Sequence, residues 1–301
     1  MAKLLYSPTS VLLEQALVLW HENSETDERW DVFYTLGTRG DDETLDAAKI
    51  WCANTDATKR ELAANLLNQF GERIFDNNGR GVTFPSAGRV VPLLEKLIDD
   101  PEAGVIASAI IGLGWYSAYE IILARPSLST HASPSVRFAV ACGLNGAESK
   151  AAIDILIALA SDEDDEVRDR ASWVLGCESM LDTPEIRQAL MRNLDDWQTD
   201  TRCEALVGLA RRKDARVIPH IKKELAAVTV YYVAIEAAGH IASPELVKPL
   251  EELRSRWDED KDLLERALIC CKGLSDPKER WLWGGEDNIF IPNWVTDMTE
   301  S

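Results

Sequence analysis

Asp165-Glu166-Val167-Arg168-Asp169-Arg170-Ala171-Ser172-Trp173-Val174-Leu175-Gly176 is the stretch that decides the fold. With Arg168 taken as position x, Ala171 stands at x+3, Leu175 at x+7 and Gly176 at x+8. Ala171 and Leu175 therefore share one helix face, a turn apart. Working outward, the same arrangement starts at Arg29, Arg60, Ile106, Arg137, Arg168, Arg202, Tyr231 and Leu264, at intervals of 31, 46, 31, 31, 34, 29 and 33 residues. The x+3 residues are Val32, Ala63, Ala109, Val140, Ala171, Ala205, Ala234 and Ala267, small enough for two helices to approach closely. The x+7 residues are Leu36, Leu67, Leu113, Leu144, Leu175, Leu209, Ala238 and Cys271. At x+8 stand Gly37, Asn68, Gly114, Asn145, Gly176 and Gly239, which we expect to close each helix in the left-handed conformation; Ala210 and Lys272 break that rule.

Between these helices lie others of similar length with punctuated starts. Thr183-Pro184-Glu185 and Ser243-Pro244-Glu245 each offer an N-cap hydroxyl followed by proline at the first helical position, and Ser133-Pro134 and Asp100-Pro101 do the same for two helices of the repeated kind. Each unit reads as helix A, short turn, helix B. A pair of that size cannot bury its apolar faces alone, so neighbours must stack. No strand-like alternation persists. The expected architecture is all-α: a right-handed α-solenoid of about eight helix pairs, an armadillo-like superhelix. It is expected to span 1–274, with an insertion loop at about 73–90 and an aromatic C-terminal tail, 275–301, acting as a cap.

The run from Asp165 to Ala171, closing at Leu175-Gly176, resembles the HEAT-like repeat of phycobilisome-lyase type, and this resemblance extends from Asp27 to Gly273. Two stretches are similar to bacterial HEAT-repeat proteins encoded beside Rhs-type polymorphic toxins. These are Arg202-Cys203-Glu204-Ala205-Leu206-Val207-Gly208-Leu209-Ala210-Arg211-Arg212-Lys213-Asp214, and Val228-Thr229-Val230-Tyr231-Tyr232 through Glu236-Ala237-Ala238-Gly239. What the resemblance implies is a stack of HEAT-type helix pairs and a role as an immunity protein against the neighbouring toxin.

Charge narrows the class of partner. The 301 residues carry 51 acids against 32 bases, a formal charge of −19. Nucleic-acid binding needs a positive face to replace the counterions of phosphate, and an anionic membrane needs the same, so neither is expected. A basic protein partner fits this balance. No secretory signal and no run of apolar residues long enough to span a membrane is evident, and the six scattered cysteines read as reduced, mostly buried thiols. A cytoplasmic location is the expectation.

In HEAT arrays helix B lines the concave side, so the resemblance points x+1 and x+5 toward an open groove. Those positions supply Trp30, Tyr34, Phe138, Trp173 and Tyr232 as an aromatic stripe, with Asp169, Glu204 and Glu236 beside its C-terminal half. Large aromatics with acids suit the anchors and polar surround of an interface for a basic partner. The arginines at x are read instead as a structural ladder bonded to nearby acids and carbonyls, such as Asp164 near Arg168. In the insertion, Phe75 and Phe84 are expected to pin the loop to the stack. The tail carries Trp281, Trp283 and Trp294, large enough to cover a last apolar face.

Catalytic chemistry is sparse. The four histidines are isolated, no cysteine pair has zinc spacing, and neither a phosphate-binding loop nor a nucleophile elbow occurs, so no cofactor, metal or catalytic residue is expected. Glu236 and His240 stand four apart, but a helix ended by Gly239 would keep them off one face. Three readings compete. The first is a scaffold that sequesters a basic protein, as an immunity protein does. The second is a lyase-type enzyme or chaperone acting on a partner protein. A HEAT-like DNA glycosylase, with Trp173 and Asp169 in a groove, comes behind both because of the acidic charge.

Overall fold

The computed structural model describes residues 7–21, 27–75 and 82–274, with side chains for all of these except 21, 27–30, 75 and 82. The expected tail and the tip of the insertion lie outside the described residues, as do the side chains of Trp30, Arg29 and Phe75. The chain divides into two compact units, Met1–Ile155 and Leu156–Ser301.

The first unit pairs α1 (Thr9–His21) with α2 (Asp27–Arg39) and α3 (Asp42–Cys52) with α4 (Ala57–Asn68). After a two-stranded ribbon, β1 (Ile74–Phe75) and β2 (Val82–Thr83), come α5 (Ala87–Leu97) with α6 (Ala103–Trp115), then α7 (Tyr119–Leu123) with α8 (Pro134–Gly143). The division falls within α9 (Lys150–Leu159). The second unit continues with α10 (Asp165–Trp173), α11 (Pro184–Asn193), α12 (Thr199–Arg211), α13 (Ile218–Ala226), α14 (Tyr232–Ile241), α15 (Val247–Arg254) and α16 (Lys261–Cys271). The B helices are the even-numbered ones, and all eight repeat starts fall on them or one residue ahead. Within the first unit α4 packs on α2 and α6, and α6 on α8; within the second α10 packs on α12, α12 on α14 and α14 on α16. All sixteen x+3 and x+7 residues are buried, none more than 2% exposed. The fold is an all-α solenoid of helix pairs.

The x+8 residues expected in the left-handed conformation do not adopt it. Left-handed backbone occurs later, at Gly40, Gly71, Ser117, Lys213 and Ala242 on x+11, and at Gly146 and Gly273 on x+9. At Gly176 the requirement is room. A Cβ on Gly176 would stand 2.7 Å from the Glu204 carbonyl oxygen, and one on Gly208, facing it from α12, 2.5 Å from the Gly176 Cα. Backbones of successive B helices touch there, which only glycine permits. Gly239 likewise sits inside α14, which runs on to Ile241.

The arginines at x form the expected ladder with a regular geometry. Each of the four whose side chains are described sends Nη1 to carbonyls six and five residues earlier, at the A–B turn. Arg60 reaches Asn54 O at 2.9 Å and Thr55 O at 3.0 Å, and Arg137 reaches His131 O at 2.8 Å and Ala132 O at 3.3 Å. Arg168 reaches Asp162 O at 3.0 Å and Glu163 O at 3.2 Å, and Arg202 reaches Asp196 O at 2.8 Å and Trp197 O at 2.9 Å. Two of them also grip a carboxylate in the next repeat, bidentate: Arg60 with Asp100 at 2.6 and 2.9 Å, Arg168 with Asp196 at 2.8 and 3.1 Å. The acid opposite Arg168 is therefore Asp196. Asp164 is occupied as the N-cap of α10, accepting from Val167 N at 3.2 Å. Arg168→Ala would strand the mostly buried Asp196 and two carbonyls, so we expect a loss of about 2 kcal/mol in urea unfolding. Arg168→Lys should recover less than half of it, because an ammonium cannot reproduce the fork.

Of the expected caps, Thr183 accepts from Ile186 N and Ser243 from Glu245 N, both at 3.3 Å. Ser133 makes no such bond and pairs with the Ser135 hydroxyl instead. Asp100 accepts from Glu102 N at 3.0 Å, and α6 begins at Ala103, after Pro101 rather than on it. The insertion is shorter than 73–90, because α5 starts at Ala87, and it holds the antiparallel ribbon that the sequence did not announce, pairing Ile74 with Thr83 and Phe75 with Val82. Phe84 does pin it: its ring lies 5.1 Å from that of Tyr116, whose single hydroxyl proton is shared between Leu67 O and Phe70 O, both at 2.9 Å. Arg73 stacks on Trp115 at 4.6 Å.

Candidate functional site

Five of the eight site residues named from the sequence meet in the second unit, on three successive B helices. Helix α10 supplies Asp169 at x+1 and Trp173 at x+5. Helix α12 supplies Glu204, and α14 supplies Tyr232 and Glu236. The 3.6-residue period brings x+1, x+2 and x+5 to one side, opposite the buried x+3 and x+7. Tyr34 and Phe138 stand on B helices of the first unit, Tyr34 48% exposed and Phe138 half-buried.

The three carboxyl groups repel one another. Burial raises Glu204 to about 7, and Asp169 and Glu236 add to the rise; the Cys177 hydrogen bond and Arg170 oppose it. Burial also raises Asp169 to about 6, with Asp200 adding to it and Arg170 opposing. Asp169 Oδ1 is buried without a hydrogen-bond partner. Arg170 lies over the Trp173 ring, 4.9 Å from its centroid. Tyr232 is 49% exposed, and its hydroxyl is pushed up, by burial and then by Glu236 and Glu204. The site thus joins excess negative charge to two large amphipathic rings.

Two features escaped the sequence reading. Because α14 continues through Gly239, Glu236 and His240 do share a face: both are buried, and His240 Nε2 lies 3.3 Å from Glu236 Oε1. The second is a five-residue π-helical turn, Val174–Glu178, that extends α10. It carries Cys177, whose thiol donates to Glu204 Oε2 at 2.9 Å. Burial and the nearby carboxylates keep that thiol protonated. Arg212 holds the turn in place, with six hydrogen bonds ending on five carbonyl oxygens, those of Leu175, Gly176, Ser179, Leu181 and Gly208. The hint in the sequence was the Arg211-Arg212 pair closing α12. Of the six thiols only Cys177 and Cys271 are buried, fewer than expected, and the other four are half-buried. Among the described residues no group of three His, Cys, Asp or Glu is placed to hold a metal, and no helix is long and apolar enough to cross a membrane.

A family model of HEAT repeats matches residues 90–176, 124–210 and 153–229 in overlapping windows. The chain is similar to Protein YibA of Escherichia coli strain K12, 28% identical over 243 residues that cover 77% of this chain and 81% of YibA. The X-ray structure of Escherichia coli YibA superposes with a TM-score of 0.71 at 23% identity, covering 90% of this chain and 94% of that one. The crystal structure of an engineered protein superposes with a TM-score of 0.50 at 16% identity, covering 88% and 81%. The family model shows HEAT repeats over residues 90–229, and the structural likenesses show the helical repeat fold.

Proposed function

We propose that this HEAT-repeat chain is a protein-binding scaffold that sequesters a basic protein on the B-helix face of its second unit, acting as an immunity protein that neutralises a cognate toxin. The observation that carries the reading is the convergence of Asp169, Glu204 and Glu236 from three helices with too little positive charge to balance them. Burial and mutual repulsion make this arrangement costly to the free protein, and an arginine or lysine from a partner relieves it. Trp173 and Tyr232 supply the aromatic anchors, and the net charge of −19 speeds encounter with a basic partner. The resemblance of Arg202–Asp214 and Val228–Gly239 to proteins encoded beside polymorphic toxins supplies the toxin.

The test uses the toxin domain encoded next to the gene, purified and titrated against the immobilised chain. Wild type should bind at about 50 mM salt with an association rate that falls at least tenfold by about 500 mM. The Trp173→Ala plus Tyr232→Ala variant should bind at least ~10-fold more weakly. Full binding by that double variant would move the interface elsewhere, and a salt-independent association rate would remove charge steering. A neighbouring gene that encodes no toxin domain would remove the immunity role and leave the scaffold.

A further inference from the structure

The A–B turns of the second unit form an edge distinct from the B-helix face. Three of them are acidic: Asp162, Glu163 and Asp164 before α10; Asp195 and Asp196 before α12; Asp258, Glu259 and Asp260 before α16. The turn before α14 has no charge and reads Ala227-Val228-Thr229-Val230-Tyr231. Two pairs of neighbouring turns are bonded, those before α10 and α12 and those before α14 and α16. Arg168 links the first two through Asp162 O, Glu163 O and Asp196, and Arg256 ties the α14 turn to the end of α15, donating to Leu225 O at 2.6 Å and Ala227 O at 2.8 Å.

On this edge sit three of the second unit's exposed large apolar side chains, while Met180, Leu274 and Tyr232 are exposed elsewhere. Val228 is 99% exposed, Trp197 74% and Tyr231 48%. A small cleft between the start of α12 and the end of α13 is lined by Leu194, Cys203 and Leu206, with Arg202, Lys223 and Glu224 among its charged groups. Scattered exposed apolar groups are ordinary, but a tryptophan, a fully exposed valine and a tyrosine on adjacent turns have the composition of an interface centre. Arg202 holds Trp197 O at 2.9 Å and Arg256 holds Ala227 O at 2.8 Å, so each turn loses little entropy when it is covered. Charge selects the occupant. A second copy of this chain would set acidic turns against a chain of charge −19, whereas a basic surface is attracted by the same turns.

We propose that this turn edge is a second contact surface for a basic partner, seating one apolar side chain among Trp197, Val228 and Tyr231 while the exposed carboxylates of Glu163, Asp195 and Glu259 on the flanking turns meet lysine or arginine. The inference rests on the reading of the chain as a binder of basic protein and adds a surface to it. Its test uses two fluorescein-labelled lysine-rich peptides, one with a tryptophan-leucine centre and one with serines there, at about 50 mM salt. By anisotropy, wild type should prefer the anchored peptide about tenfold. Trp197→Ala plus Val228→Ser should lose that preference with an unchanged melting temperature, since both side chains are exposed. Trp173→Ala plus Tyr232→Ala should keep it. Equal affinity of wild type for the two peptides, binding of neither, or a preference retained by the edge variant overturns the proposal. A preference lost only in the groove variant also overturns it, while the groove reading stands and is judged separately by the toxin-domain titration.

Discussion

Arg212→Ala should lower the unfolding free energy of the second unit by about 4 kcal/mol, the largest single-residue effect we expect away from the aliphatic core. Arg212 is only 9% exposed, and its six hydrogen bonds end on five carbonyl oxygens. A buried guanidinium usually needs a carboxylate. Here carbonyl oxygens serve instead: those of Leu175 and Gly176 on the π-helical turn, of Ser179 and Leu181 just beyond it, and of Gly208 on α12 converge on one point. Truncation orphans several of those oxygens together, each worth about 1–3 kcal/mol if water cannot reach it. Arg212→Lys should recover little, since one ammonium cannot span five acceptors. Arg211→Ala, which removes a bond to Cys177 O from a half-buried side chain, should cost about 1 kcal/mol. Urea midpoints of the three variants decide it. An Arg212→Ala midpoint close to wild type would mean that the π-helical turn holds itself.

That turn also shows where sequence reading reaches its limit. The buried positions of the repeat were legible because x+3 and x+7 are fixed by helical period alone, and all eight copies obey it. Glycine at x+8 was misread because two demands select the same residue: left-handed backbone at a helix end and the absence of a Cβ where backbones touch. Only the position of Gly208 against Gly176 separates them. The same error hid the Glu236–His240 pair, since a helix taken to stop at Gly239 keeps the two apart. Arg168 was rightly placed in a ladder, but its acid lies 28 residues away at Asp196, a separation that no local pattern encodes. Asp169, Trp173, Tyr232 and Glu236 could be placed on one side because x+1 and x+5 repeat with the array, and Glu204 stands beside them at x+2. The raised affinity of Glu204 and Asp169 for protons was not, because it comes from burial and from charges on neighbouring helices.

Those two carboxyl groups give the second large expectation: the free fold loses stability as pH rises through the range in which binding of a basic partner gains it. Glu204 is raised to about 7 and Asp169 to about 6, each above its unfolded value. Between the unfolded and folded values the native state holds protons that the unfolded chain has released. Stability is therefore greater near pH 5 and falls toward pH 8. Glu204→Gln, which cannot ionise, should flatten this slope and stabilise the free protein at pH 8 by about 1–2 kcal/mol. The groups that act on Glu204 come from every neighbouring element: Asp169 and Arg170 on α10, Cys177 on the π-helical turn, and Glu236 on α14. A guanidinium or ammonium seated among them favours the ionised forms, so binding must expel the protons. At pH 5.5 that costs about 1.5 units for Glu204 and about 0.5 for Asp169, so affinity should fall about 100-fold between pH 8 and pH 5.5. Calorimetric titration of the toxin domain in buffers of different ionisation enthalpy reads the released protons directly. In Glu204→Gln most of the pH dependence should vanish and the affinity at pH 8 should drop, even as the fold becomes more stable. A variant that gained stability with its pH-dependent binding intact would place the basic partner somewhere other than this cluster.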